Sequence, residues 1–435
     1  MNTKSTYRLV SIFLILLGMA FLLALSILGI ETAGRYLSQP YLLLDYFTAL
    51  AWAMSFGLSI ILWPVPKPHK QALGIVWLAK IFVTLGVMLF YEYNYASLDA
   101  RGYFYSAKTG DFAWEDFVFG QGSTNMINLA RFHQYFIADS YHAMKVTSAM
   151  IGMVAVYIFY RAATLFLKRD DIRIFYAIAL YPSILFWSSI LGKDPIMLIG
   201  VALYVYAVVG WRNSGKLRYI FWGALGVWIA SFIRLWYAPI LLAPLAVFFI
   251  LGTKNVLAKI VFIGIVVVAF LFSFSLFAER FAIETTQDLI STTDRISGSW
   301  AFGGSGQEIS GGVASVSSML AFAPIGSFTA LFRPLPGDVL NPFGLLSGLE
   351  NFVLLWLLLI AIKRSRLKEL NEPLILWAIV LVMNWSIIYG FVSYQNLGAA
   401  VRFKLQILPV LLGLLLYLSR RDRNKFSHSK TGVSI

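Results

Sequence analysis

The 435-residue chain contains no cysteine. That excludes a disulfide framework, thiol chemistry and iron–sulfur ligation. Its four histidines, His69, His133, His142 and His428, show no metal-ligand spacing, so no His-based metal site is expected. Charged residues make up only 13% of the chain, where a soluble domain carries about 25%. Acid is scarcer than base, with 21 Asp and Glu against 35 Lys and Arg. No phosphate-loop spacing is present, which leaves nucleotide hydrolysis unsupported. The strict apolar–polar alternation of β-barrel strands is missing as well.

What the chain has is apolar sequence, at 59% of residues and a mean hydropathy of +0.75. It falls in continuous blocks of about twenty residues, the length that crosses a bilayer as a helix. The spacing predicts an all-α polytopic bundle with about twelve spans. They lie near 9–30, 41–63, 73–91, 143–160, 174–191, 196–210, 219–235, 238–252, 260–278, 346–362, 373–391 and 403–419. Pro239 separates two short ones. The run from Leu9 to Ile30 is too long for the core of a signal peptide, and no small-residue cleavage site follows it. Residues 1–420 read as one transmembrane domain and 421–435 as a basic tail.

The net charge of +14 is topology information rather than a nucleic-acid signal. Basic residues crowd the short loops, as in Arg161, Lys168, Arg169 and Arg173, or Lys363, Arg364, Arg366 and Lys368. By the positive-inside rule these loops, the tail and both termini are cytoplasmic. Acidic residues concentrate on the other side, in two long loops near 92–142 and 279–345. Their aromatic content predicts ordered structure. Thr124–Ile137 reads as an amphipathic interfacial helix and 316–332 as a re-entrant or interfacial segment. Glycines in Gly298–Ser305 suggest a mobile loop. Only Lys80 and Asp45 lie well inside spans.

Four features at the outer face carry candidate chemistry. Asp99, in Asp99-Ala100-Arg101-Gly102-Tyr103, reads either as a general base or as the cap of a helix starting at Ala100. In Trp187-Ser188-Ser189-Ile190-Leu191-Gly192-Lys193-Asp194-Pro195, Asp194 and Pro195 read as N-cap and first helical position. Lys193 beside that helix start makes an anion site, or else it snorkels from a capped hairpin. Arg234, in Phe232-Ile233-Arg234-Leu235-Trp236, faces either a cavity or the interfacial belt. Arg333, Gln395 and Arg402 complete the set, with Arg402 a second basic group for the same phosphate. The three cations Lys193, Arg234 and Arg402 are expected to line one cavity with Asp99.

These residues carry a resemblance. Asp99 and Tyr103, then Pro182-Ser183 followed by Trp187-Ser188-Ser189 and Gly192-Lys193-Asp194, then an Arg-aromatic span, resemble bacterial GT-C-type membrane glycosyltransferases. Those are related in shape to dolichyl-phosphate-mannose protein mannosyltransferases. Leu331-Phe332-Arg333-Pro334, Glu350-Asn351 and Asn396 to Arg402 resemble membrane proteins of surface-polysaccharide clusters, including O-antigen polymerase-like proteins. The resemblance implies a bacterial cytoplasmic-membrane enzyme. It would take a sugar from a polyprenyl phosphate or diphosphate and attach it to a glycan or lipid-linked acceptor outside the cytoplasm. Asp99 would be the base, with Glu115 and Asp116 as substitutes. Lys193, Arg234, Arg402 and Arg333 would hold the donor phosphate. Tyr103, Trp187, Ser188, Ser189, Asp194 and Gln395 would line the substrate. A divalent cation is compatible with such a reaction, and nucleic acid is not an expected partner. The chain departs from the family in two ways: its acidic loop follows the third span, and the usual acidic pair is a single Asp. An O-antigen-type polymerase or ligase, and a transporter or flippase for lipid-linked glycans, are the rival functions.

Overall fold

The computed structural model describes residues 28, 41–94, 99–137, 139–252, 255–299, 301, 305–307 and 315–420. The expected span at 9–30, apart from residue 28, and the tail 421–435 lie outside the described residues, as do 300 and 302–304 of the glycine-rich 298–305 stretch. Among the described residues every extended element is helical, and bridges between extended strands occur only singly. The protein is a helical membrane protein. Seven helices are long and apolar enough to cross a bilayer, and one bent pair makes an eighth if it is a single span.

The described residues begin with α1, Leu42–Ser59. Helix α2, Lys67–Phe82, runs through a π turn at Val83–Val87 into α3, Met88–Asn94. Two short helices follow, α4 (Asp99–Lys108) and α5 (Gly122–Gln134), then the long α6 (Tyr141–Leu167). The expected loop helix at 124–137 is therefore present, shifted by two or three residues.

The expected span at 174–191 is broken. Helix α7 (Ile172–Ala179) stops before Tyr181, and α8 (Pro182–Trp187) starts on a proline. A proline pushes the residue before it out of the α region and cannot donate to the preceding turn. Helix α9, Lys193–Ser214, then starts two residues earlier than expected, so Asp194 and Pro195 sit in its first turn. Helices α10 (Arg218–Ile233) and α11 (Tyr237–Gly252) are short and apolar, with Pro239 in the first turn of α11. Next come α12 (Val256–Phe281), α13 (Thr286–Gly298), α14 (Val316–Phe332), α15 (Pro342–Arg364) and α16 (Pro373–Ser393). The expected last span is also broken: α17 (Leu397–Lys404) and α18 (Leu408–Ser419) meet at 73°, just ahead of Pro409.

The chain divides into two compact units. The first comprises the described parts of 1–117, with 123–153 and 188–195. Its helices are tied by indoles that reach across them: Trp77 Nε1 donates to the Ala53 carbonyl at 2.9 Å, and Trp52 Nε1 to Thr147 Oγ1 at 2.9 Å. In the π turn the Leu85 carbonyl accepts a hydrogen bond from the Tyr46 hydroxyl. Gly152 on α6 lies against the Ser188 backbone so closely that an added Cβ would stand 1.9 Å from its carbonyl oxygen.

The second unit holds 118–122, 154–187 and 196–435. Here glycines let backbones meet, the usual device where lipid offers helices no hydrophobic drive to associate. Gly200 of α9 faces Gly226 of α10, and Gly326 of α14 faces Gly390 of α16; a Cβ on Gly226 or Gly390 would lie 2.5 Å from the opposite backbone. Helix α14 packs along α16, and α11 packs against both α12 and α16. The C-terminal ends of α9, α15 and α18 share one end of this unit with the start of α16. Arg420 pairs with Glu369 at 2.9 Å, Arg212 lies 4.0 Å from Glu372, and Arg364 donates to the Ser419 carbonyl at 2.7 Å.

Candidate functional site

In the first unit, Asp99 and Tyr103 stand one helical turn apart on α4. Residues at i and i+4 share a helix face. Asp99 is exposed and Tyr103 buried. Lys193, at the start of α9, comes from a distant part of the sequence to the same place. Its Nζ lies 5.9 Å from the centre of the Tyr103 ring and donates to Ser123 Oγ of α5 at 2.8 Å. Two expectations made separately, an acid–aromatic turn and a cation at a helix start, thus converge. Asp194 beside them is fully buried. Glu115 and Asp116 form a separate exposed turn, where Asp116 is held by Arg131 at 3.0 Å.

Ser188 and Ser189 serve a different group. Lys80 sits halfway along the continuous 67–94 helix, about 20 Å from either end at 1.5 Å per residue. It is fully buried, and its three donors are all taken, by Ser188 O at 2.9 Å, Ser188 Oγ at 2.6 Å and Ser189 Oγ at 3.1 Å. Thr84 in the π turn adds a bond to the Ser189 carbonyl at 3.0 Å.

More charge lies inside the apolar helices than the sequence suggested. Lys145 and Glu92 form a buried pair at 3.0 Å, and Tyr141 donates its hydroxyl to the other Glu92 oxygen at 2.8 Å. Arg101, two residues beyond Asp99, donates to the Glu92 carbonyl at 2.7 Å. Helix α4 is thereby fastened to the membrane helices at their polar pair. Asp45 accepts from Ser140 and from the His142 backbone, and the His142 ring is completely buried. Outside the spans, burial pushes the His133 imidazole down to about 4, while its Nε2 lies 2.8 Å from Thr147 Oγ1.

The second unit holds the remaining candidates. Arg234 occupies the break between α10 and α11 and is only 6% exposed. Its guanidinium lies 4.2 Å from the Phe403 ring centre, 5.6 Å from Trp236 and 5.9 Å from Tyr389, and Nη1 donates to the Tyr389 hydroxyl at 3.3 Å. Its Nε is buried without a hydrogen-bond partner, and it forms no ion pair with a described residue. Each ring contributes about 0.5–2 kcal/mol, while burying a cation costs several, so the cage offsets the burial only in part. Arg402 lies over Trp187 at 6.0 Å. Gln395 donates to the Tyr394 hydroxyl at 2.8 Å. Arg333 is engaged by Asp338 at 2.9 Å, a bond that holds the Asp338 carboxyl below its ordinary range.

The late sequence motifs meet in the second unit as well. Glu350 accepts from both the backbone and the hydroxyl of Ser183; Asn351 donates to the Pro334 carbonyl at 2.9 Å. Buried Lys404 donates to Asn351 and to the Leu331 carbonyl. Pro182-Ser183, Leu331 to Pro334, Glu350-Asn351 and the segment ending at Lys404 form one hydrogen-bonded knot. The sequence marked all four stretches but not Glu350 and Lys404 as working groups. The usable signal was a charge within an apolar run, the same one that singled out Lys80.

A cavity of about 570 Å³ opens between α9, α10, α11 and α12, close to Arg234 in sequence but not lined by it. Its walls include Trp211, Val227, Trp228, Phe248 and Phe272, and apart from tyrosine hydroxyls and indole N–H groups its polar side chains are Ser231 and Ser273. It follows α10 from Tyr219 to Ser231, about 18 Å. Ser231 and Leu235, which line it, flank Arg234 in sequence. Among the described residues no three His, Asp or Glu side chains gather as a metal site.

No known family, characterised protein or solved structure matches the chain.

Proposed function

We propose that the protein is an integral-membrane glycosyltransferase of the GT-C kind, using a sugar linked to a polyprenyl phosphate or diphosphate. The observation that carries the reading is the long apolar cavity, with Arg234 close to it in sequence in a helix break. An apolar channel along membrane helices suits an isoprenoid tail. A caged guanidinium without a carboxylate suits its phosphate. In this reading the chain has twelve spans with both termini cytoplasmic, sits in the bacterial cytoplasmic membrane and works on its outer face. It would serve surface polysaccharide or glycolipid assembly.

The chemistry is a displacement at the anomeric carbon. Asp99 takes the proton of an acceptor hydroxyl as its oxygen bonds to that carbon. The bond from the carbon to the phosphate oxygen breaks, and the phosphate leaves with both electrons. Arg234 and Arg402 neutralise the departing charge. Arg333 is a weaker candidate for this role, because Asp338 already occupies it.

Transport of a lipid-linked glycan is the second reading, favoured by Lys80, Glu92 and Lys145 inside apolar helices. Each of these is already paired within the protein, which is how a fixed staple behaves. The decisive assay gives purified protein, in detergent, a polyprenyl-linked sugar and candidate acceptors. The expected result is a glycan product that Asp99→Asn abolishes while donor binding persists. Full turnover by Asp99→Asn, or lipid-linked sugar that moves across vesicles without any transfer, would overturn the proposal.

A further inference from the structure

The first unit carries an aromatic cluster that the transfer reaction does not use. Phe112, Trp114, Phe132, Tyr135 and Phe136 gather at the C-terminal end of α5, with ring centres 5.0 Å apart for Phe112–Trp114, 5.1 Å for Phe112–Phe132 and 5.2 Å for Phe132–Phe136. Packed rings of this kind belong inside a protein, yet Trp114 is 71% exposed, Phe136 69% and Tyr135 67%.

The other side of the same helix reverses the usual order. Asn125 and Asn128 face inward and are fully buried, with Asn128 donating to the Ala113 carbonyl at 2.7 Å. Polar amides inside and bare aromatic rings outside are the arrangement expected of a segment whose surroundings are apolar. The basic residues nearest the rings, Lys108 and Arg131, are matched within the loop by Asp139 and Asp116. The cluster also ends only five residues before α6 begins its passage through the membrane.

We infer that this cluster is a membrane-interface anchor: the rings lie in the headgroup and upper acyl region of the bilayer. Aromatic side chains with one apolar and one wet side favour that depth. The anchor has a consequence for the site. Ser123, at the opposite end of α5, accepts from Lys193. Thirteen residues of rigid helix, about 20 Å, link the rings to that contact, so the depth of the rings sets the height of Lys193's partner. The inference does not depend on the identity of the reaction.

The absence of cysteine makes the test direct, because Trp114→Cys and Phe136→Cys each introduce the only thiol. The full-length variants are labelled with a small polarity-sensitive fluorophore in phosphatidylcholine vesicles, with Lys216→Cys as the water-exposed control. Nitroxide-bearing lipid is expected to quench labels at 114 and 136 several-fold more than aqueous iodide does, and the control is expected to show the reverse. Dominant quenching by iodide at both positions would overturn the inference. So would protection of those labels by a soluble oligosaccharide but not by lipid, which would make the cluster a sugar platform. A measurement on the unaltered protein guards against misfolded variants. Hydroxyl-radical oxidation of Trp114 and Tyr135 in vesicles should be low despite their exposure, and heavy oxidation would count against the anchor.

Discussion

At the scale of single residues, the arrangement separates groups that are already satisfied from groups that await something. Lys80 has three acceptors for three donors and needs no ligand. Arg234 has three rings, one tyrosine hydroxyl and an unbonded Nε. If Arg234 meets the donor phosphate, Arg234→Met should keep the protein folded while weakening donor binding at least tenfold, read by titration of the lipid phosphate in detergent. An unchanged affinity would return Arg234 to a purely structural role. Asp99→Asn should lower the turnover rate by about 10²–10⁴-fold, the usual worth of a positioned base, with donor affinity little changed. His133 supplies a pH test. Its pKa is depressed from 6.5 to about 4, because burial disfavours the charged ring. The unfolded chain therefore binds the proton first as pH falls. The stability this residue protects is complete above about 6.5 and drains away between there and about 4. Thermal unfolding in detergent over that window should show a loss that His133→Gln reduces. An identical pH profile for the two proteins would refute the assignment.

At the scale of elements, the helices of each unit are held by close backbone contacts and by a few buried polar pairs. Gly326 and Gly390 bring α14 and α16 into backbone contact. Gly390→Leu should force them apart at a cost of at least about 1–3 kcal/mol, the usual range for overpacking. The Glu92–Lys145 pair predicts a characteristic inequality. Lys145→Met alone leaves a buried carboxylate short of its cation, which costs about 3–5 kcal/mol. The double variant Glu92→Gln, Lys145→Met removes both charges and should unfold at a higher temperature than the single one. The reverse order would show that the pair does not act as a unit. Breaks in the helices matter as much as the helices. Pro182 and Pro409 interrupt runs that hydropathy alone reads as continuous spans, and Arg234 and Arg402 lie on or beside such irregular backbone. Non-helical backbone at membrane depth is tolerated where protein or a cavity surrounds it, so these breaks are where a site can form.

At the scale of the whole molecule, the sidedness of the loops is the first thing to measure. A reporter fused after Arg364 should be cytoplasmic and one inserted near Gly306 extracytoplasmic; finding both on one side would reverse the proposed working face. The membrane class and most of the long helices were legible in the sequence, because a run of about twenty apolar residues has few other stable fates. Composition likewise excluded thiol chemistry outright. The resemblance pointed to Asp99, Tyr103 and Lys193; the fold brings Lys193 over the Tyr103 ring, with Asp99 one helical turn before Tyr103. Hydropathy could not show which apolar runs were broken, since it averages over the single proline that interrupts a hydrogen-bond ladder. Nor could it tell which charges inside helices were paired. Lys80 finds its serines more than a hundred residues away, and Lys404 finds Asn351 across 53. Such partners are fixed only when helices pack, because a buried charge takes whatever acceptor the packed neighbours bring within reach. The sequence by itself determined the solvent, the helices and the candidate groups. The tertiary structure decided which of those groups are paired within the fold, because a partner distant in sequence comes within reach only when the helices pack.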